Sequence, residues 1–426
     1  MQNACSNPNT AAGKWVRFAY WISAPRRSQM ADQFAMLMAI SLPWSTTILG
    51  IFTTLWLITL AMVIDLTQFR KQFHHPVCWL PVALFGLAVV GMLWADAPWG
   101  ARVHAAGTIA KLLAIPLLIY QFERSENGIR IFLAFLTSCT VLLALSWLNW
   151  LAPRTVLFSG TTIGVPVKNY ITQDVEFVLC IFGTAALAII AWQKNRPFTS
   201  VGLICLTFGF FLNIALVASS RTSLVSLPLL LLVSTLRYIP WRRALVLYLS
   251  IATIAAFAWS FAPNLRHRIE GLQQEYSLRS SQPTSVGLRL EYWSNALQFI
   301  SYAPLIGHGT GSIRGLFERN AVGKNMSDEH IVANPHNQTL YFAIEWGLIG
   351  VILLYAMWSA HFFVFTEMRW ASWLGMVLVS QNIFGSLFNS HLSDYVEGWI
   401  YVIGVGVAAG MVANGRKPCP NTASAT

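Results

Sequence analysis

Runs of about 18 to 22 apolar residues recur from residue 33 almost to the carboxyl terminus, and each is long enough to cross a hydrocarbon core of roughly 30 Å. A backbone inside lipid finds no water for its amides, so such segments fold as helices with every amide paired internally. The expected spans are 33–48, 50–65, 79–95, 104–121, 130–150, 174–192, 199–219, 222–236, 243–261, 338–357, 370–388 and 397–414, about twelve in all. The first two belong to one apolar run that Pro43 and Gly50 interrupt, read as a tight hairpin. The expected fold class is therefore all-α, a polytopic integral membrane helical bundle of about twelve transmembrane helices. Composition agrees, with 55% of residues apolar and only 11% charged. About thirty mostly polar or basic residues precede the first span, so no cleavable signal peptide is expected.

Lys and Arg set the expected orientation, because short cytoplasmic loops retain them. With the amino terminus inside, the inside segments hold Arg26, Arg27, Arg70, Lys71, Arg124, Lys194, Arg242, Arg243 and Arg416, among others, while the short outside loops hold Arg102, Arg154, Lys168 and Arg221. The chain then divides into a cytoplasmic tail (1–32), helices one to nine (33–261), one long helical loop outside (262–337), helices ten to twelve (338–414) and a second cytoplasmic tail (415–426). The net charge of +11 is an anchor to anionic inner-leaflet lipids and calls for no nucleic acid. Cys5 and Cys419 fall in the tails, Cys78, Cys139, Cys180 and Cys205 in or beside spans, and no disulfide is expected. No CxxC, HExxH or Walker-type phosphate loop occurs, which leaves ATP-driven transport and zinc hydrolysis without a sequence basis. No internal repeat suggests an inverted-repeat transporter.

Several outside residues carry possible chemistry. Arg221, in ASSRTSLV, stands at the junction of two spans with no other charge within ten residues, and a charge at that depth is costly unless paired or facing a wet cavity. Its alternative is an arginine that snorkels to the headgroups. Lys111, inside TIAKLLAIPLLIY, is either functional or neutralises a buried carboxylate. The long loop opens with an amphipathic pattern, PNLRHRIEGLQQEY. It continues through SVGLRLEYWSNALQFI, where Leu288, Tyr292, Leu297 and Ile300 lie near helical spacing with Arg289 beside the polar side. APLIGHGTG then breaks the helix, and a glycine-rich turn of this sort is more often loop geometry than a phosphate cradle. In NPHNQTLYFAIEWGLIG, Asn334 and Pro335 form a helix-start signature that puts His336 where the loop enters the membrane. A histidine there can take a proton from a hydroxyl nucleophile, although a lone interfacial histidine ordinarily makes only a structural hydrogen bond.

Taken in order, Arg221 in SSRTS, Arg289 and Trp293 in RLEYW, PLIGHGTG, the dipeptide His336 and Asn337, and EWGLIG resemble the O-antigen ligase and polymerase superfamily over about residues 30–414. The resemblance implies a GT-C-like glycosyltransferase of the bacterial inner membrane, active at its periplasmic face. It would move a glycan from an undecaprenyl-pyrophosphate-linked donor to a sugar hydroxyl of the lipid A core acceptor. In such a reaction Arg221 and Arg289 suit the leaving pyrophosphate, because planar guanidinium forks bind phosphate bidentately. His336 suits the proton of the attacking hydroxyl, and a single displacement inverts the anomeric centre. Asp394 resembles an acidic position of the family and would orient the histidine or a sugar hydroxyl, or else cap a helix. Lys168 is a further phosphate contact and His308 an alternative base.

The paired carboxylates Asp174 with Glu176, Asp328 with Glu329, and Asp394 with Glu397 form no DxD motif, so neither a metal nor another cofactor is expected. Membrane lipids surround the chain. Two other members of the superfamily, an O-antigen polymerase and a protein O-oligosaccharyltransferase, would use the same arginines and histidine with another acceptor. A solute transporter would explain the spans and Lys111, but the basic residues and His336 gather at one outer face rather than at the midplane.

Overall fold

The structure, a computed structural model, describes residues 24–153, 162–218, 220–238, 240–246, 248–249, 253, 284–322, 330–367 and 370–416. In chain order its helices are α1 (Ala24–Ser41), α2 (Thr46–Ala61), α3 (Leu66–Lys71), α4 (Pro76–Val90), α5 (Trp99–Ala110), α6 (Ala114–Phe122), α7 (Gly128–Leu151), α8 (Tyr170–Gln193), α9 (Pro197–Asn213) and α10 (Arg221–Tyr238). They are followed by α11 (Ser285–Tyr302), α12 (Ile313–Ala321), α13 (Gln338–Val364), α14 (Trp370–Gly385) and α15 (Tyr395–Gly415).

Among the described residues seven helical runs are long and apolar enough to cross a membrane: Pro76–Leu93, Trp99–Phe122, Gly128–Leu151, Tyr170–Gln193, Pro197–Val217, Gln338–Val364 and Tyr395–Gly415. The chain is an all-α polytopic membrane protein. Of the other expected spans, 33–48, 50–65, 222–236 and 370–388 fall largely on helices, but these are shorter or more polar. α14 has 16 residues, and α10 is apolar only over Val225–Arg237. Most of 243–261 lies outside the described residues, as do the 263–276 pattern, the pair Asp328 and Glu329, and the outer parts of both tails.

Local chemistry explains where the helices begin. Ser45, Asp65, Asn169, Thr284 and Asn337 each occupy a cap position and accept a backbone N–H of the first turn, satisfying donors that the helix leaves unpaired. The first hairpin turns around Pro43, whereas Gly50 sits inside α2. α1 starts at Ala24, so part of the expected cytoplasmic tail is already helical. On α11 the buried face runs through Tyr292, Ala296 and Phe299. Leu297, expected on that face, is 61% exposed because it lies one residue out of the 3.6 period.

α15 is the centre of the bundle, with 83% of its most apolar window buried. Small residues let its neighbours approach closely. A Cβ on Gly410 would stand 2.9 Å from the Phe122 backbone, which is how helices associate where lipid supplies no hydrophobic drive.

Side-chain contacts also gather the amino-terminal ends of four helices at one end of the molecule. Thr172 of α8 donates to Glu397 of α15 at 2.6 Å, Gln338 of α13 donates to Ser393, just before α15, at 2.9 Å, and Ser220, preceding α10, donates its N–H to Asp174 of α8 at 2.5 Å. Helix amino termini carry partial positive charge, which the carboxylates of Asp174 and Glu397 meet in part.

Candidate functional site

The turn ahead of α13 is built by its own asparagines. Asn337, rather than Asn334, is the cap of α13; its side chain accepts the Leu340 N–H at 3.1 Å and donates to Leu387 O at 3.0 Å. Asn334 instead closes the turn, accepting the His336 N–H at 2.9 Å and the Ser390 hydroxyl at 2.7 Å. Between them His336 takes a left-handed backbone, φ +54°, a conformation that costs a non-glycine residue energy and persists where surroundings enforce it.

The half-buried His336 ring faces a residue from another loop. Its Nδ1 lies 2.8 Å from Asn389 Oδ1. An amide oxygen only accepts, so Nδ1 carries the proton and Nε2 keeps its lone pair. Burial holds the imidazole below its ordinary pKa, and the Arg289 charge pushes in the same direction, while the bond to Asn389 opposes both. The outcome is a neutral ring with a basic nitrogen at neutral pH.

Helix α11 orders the same turn from the side. Trp293 donates its indole N–H to Pro335 O at 3.1 Å, the Tyr292 ring lies 6.2 Å from the His336 ring, and Glu291 pairs with His330 at 2.9 Å. Arg289, Trp293, His336 and Asn337 are therefore brought together.

The glycine-rich segment has a packing explanation. His308 and Gly309 donate their N–H groups to Ile344 and Glu345 carbonyls at 2.8 Å each. These acceptors belong to α13 just before Gly347, where the helix is broken at φ +60° and ψ −151°. Gly307, Gly309 and Gly311 all have positive φ, and a Cβ on Gly307 would stand 2.5 Å from the Glu345 carbonyl. Thr310 donates to Ala88 O at 2.6 Å and accepts the Trp346 indole at 2.9 Å. PLIGHGTG and EWGLIG are thus two halves of one backbone-to-backbone joint. His308 points its Nε2 at Phe299 O, 2.8 Å away.

Beside this turn lies a cavity of about 1070 Å³. Asn334 and Ala333 form part of its wall next to His336, and Lys111, Asp394, Glu345, Tyr341, His104 and Arg314 line it elsewhere. Lys111 sits in a one-turn break between α5 and α6 and donates to the backbone carbonyls of Ser393, at 3.2 Å, and Asp394. Asp394 stands at the cap position of α15 but makes no capping bond, and its Oδ2 is buried without a partner. Burial and the nearby Glu397 raise its carboxyl to about 7, opposed by Lys111.

Lys168 lies just ahead of α8. It has φ +56°, donates to Leu42 O, and lies among the carboxylates of Glu176 and Glu397; burial is the largest influence on its amine and lowers its pKa. Asp174 accepts from Ser220 directly before Arg221, which opens α10; the Arg221 side chain lies outside the described residues. Among the described residues no three His, Cys, Asp or Glu side chains converge on a possible metal position.

Sequence reasoning missed Asn389, and it gave Asn334 only as a helix-start residue and Glu345 only within EWGLIG. Asn389 sits in FNSHLSD, and its partner is 53 residues away, a distance no local pattern reports.

Residues 206–355 match a family described as O-Antigen ligase. The match runs from α9 into α13 and includes Arg221, Arg289, the glycine joint and His336, about a third of the chain. An uncharacterized protein of Haemophilus influenzae is 27% identical over 119 residues, which cover 26% of this chain and 30% of that protein. The chain thus spans less than a third of this relative's length.

Proposed function

We propose that this chain, which matches the O-antigen ligase family over residues 206–355, is a membrane glycosyltransferase of ligase or polymerase type and works as a ligase. It moves a glycan from undecaprenyl pyrophosphate to a sugar hydroxyl of lipid A core in lipopolysaccharide biosynthesis. The observation that carries the reading is the His336 ring, fixed through Nδ1 by Asn389 with Nε2 left basic, next to the Arg289 charge and a cavity of about 1070 Å³.

The acceptor hydroxyl oxygen attacks the anomeric carbon as its proton passes to His336 Nε2, and the bond from that carbon to the pyrophosphate oxygen breaks. Undecaprenyl pyrophosphate leaves with the electron pair. Arg289 and Arg221, at an end of the bundle where four helix amino termini meet, stabilise the charge that accumulates there. Asp394 and Lys111 line the cavity, where Asp394 would accept from a sugar hydroxyl. The arginines supply the neutralisation that a divalent cation supplies in other glycosyltransferases, so transfer is metal-independent. In this reading the chain sits in the bacterial inner membrane with His336 at the periplasmic face, as the Lys and Arg asymmetry of its loops supports.

The test is a deletion strain examined for glycolipids. Loss of polymer from lipid A with accumulation of undecaprenyl-linked polymer is expected. A single repeat unit still attached to lipid A would assign polymerase activity instead, and an unchanged profile would overturn the reading.

A further inference from the structure

Helix α13 begins next to the His336 turn and runs 27 residues to Val364, about 40 Å of helix at 1.5 Å per residue. At its far end, away from the proposed chemistry, a second cavity of about 530 Å³ opens where α6, α13 and α15 finish, within the roughly 300–1,000 Å³ typical of small-molecule sites. Lys71, Arg124 and Arg416 line its polar side, with Glu123 as the acidic group among them, and Phe363, Val412 and Ile119 form an apolar wall.

Two features of this cavity point to a ligand. The segment Leu66–His74 that supplies Lys71 is bent by 106° from α2 and borders the ends of α6, α13 and α15, where spans that cross a bilayer reach its headgroups. Basic side chains at that depth meet lipid phosphates. Arg124 pairs with Glu123 at 3.2 Å and Arg416 with Glu367 at 2.6 Å, which holds both guanidiniums in place, and each carries five N–H donors.

The second feature is Gln72, 8% exposed. Its Nε2 donates to Glu123 Oε2 at 2.7 Å, which orients the amide, and its Oε1 is buried without a donor. An amide oxygen can only accept, so whatever completes this site brings an O–H or N–H.

A phosphate for the cations, a hydrogen-bond donor for Gln72 and an apolar remainder for the Phe363 wall together describe one class of molecule. We propose that this cavity binds the headgroup of a glycerophospholipid whose polar end carries a hydroxyl or an ammonium, as phosphatidylglycerol and phosphatidylethanolamine do. Phosphatidylcholine offers the same phosphate but no N–H or O–H.

The full-length protein, purified in detergent and delipidated, is titrated with phosphatidylglycerol, phosphatidylethanolamine, phosphatidylcholine and inorganic phosphate under native mass spectrometry. The donor-bearing lipids are expected to bind about tenfold more tightly than phosphatidylcholine, the scale of one good hydrogen bond to a buried acceptor. Gln72→Leu should erase that preference while retaining lipid binding. Lys71→Ala combined with Arg416→Ala should weaken all three lipids about tenfold or more. Equal binding of the three lipids by the wild-type protein would overturn the proposal without recourse to any variant. Unchanged binding in the folded double variant, or displacement of bound lipid by millimolar inorganic phosphate, would overturn it too, the latter assigning the site to a free anion.

Discussion

The side-chain oxygen of Asn389 lies 2.8 Å from Nδ1 of His336, and this contact between two loops decides which nitrogen of the histidine is basic. His336→Ala should abolish transfer while lipid-linked donor still binds. Asn389→Ala, which leaves the ring free to turn and to change tautomer, should cost about 10- to 100-fold in kcat, the scale of losing the partner that orients a catalytic or metal-bound histidine. Turnover near the wild-type rate by His336→Ala in a reconstituted assay would remove the histidine from the mechanism.

The acid limb of the pH–rate profile reports the same ring. Burial and Arg289 lower the His336 pKa, and the neutral form does the work, so activity should persist below the ordinary histidine value near 6.5. Asn389→Asp places a carboxylate on Nδ1 and favours the imidazolium, which moves the limb to higher pH. A limb that stays in place in Asn389→Asp would mean that another group titrates.

Guanidinium geometry separates specific phosphate binding from diffuse charge. Arg289→Lys and Arg221→Lys keep the charge but lose the planar fork, and each should retain only a small part of transfer at normal protein level in the membrane. Full activity in the double Lys variant would show that charge alone suffices. Chelators should leave the wild-type enzyme active, and loss of activity in EDTA with recovery in magnesium would contradict the metal-independent reading.

The joint between the glycine segment and α13 predicts a stability effect without a change in chemistry. At Gly307, φ is +67° and a Cβ would lie 2.5 Å from the Glu345 backbone, so Gly307→Ala combines left-handed strain with a backbone clash. It should destabilise by more than about 1–2 kcal/mol, read as a lower Tm in detergent. Gly100→Ala, with nothing within 4 Å of the added methyl, is the control.

Asp394 predicts a pH dependence of stability. Its carboxyl is raised from 3.8 to about 7 in the folded protein, so between those values the folded state binds more proton than the unfolded one, and its contribution falls as pH rises through that window. Asp394→Asn, which does not titrate, should flatten the corresponding part of the Tm-against-pH curve. An identical slope in wild type and variant would place the titration elsewhere.

The membrane-bundle fold was legible in the chain because lipid imposes a length and a polarity on each segment one at a time. The basic and aromatic pattern RLEYW is likewise local. His336 could be singled out from its place at the head of an apolar run. Its tautomer could not, because Asn389 approaches from beyond α13 and α14. The same holds for Lys111, whose partners are the Ser393 and Asp394 carbonyls 282 and 283 residues away, and for GHGTG, whose Gly307, Gly309 and Gly311 are packed against the backbones of Glu345, Ala95 and Ala101. Periodicity and transfer energy act on neighbours in sequence, whereas a proton's position on a ring and the space open to a Cβ depend on groups that meet only when the helices have packed.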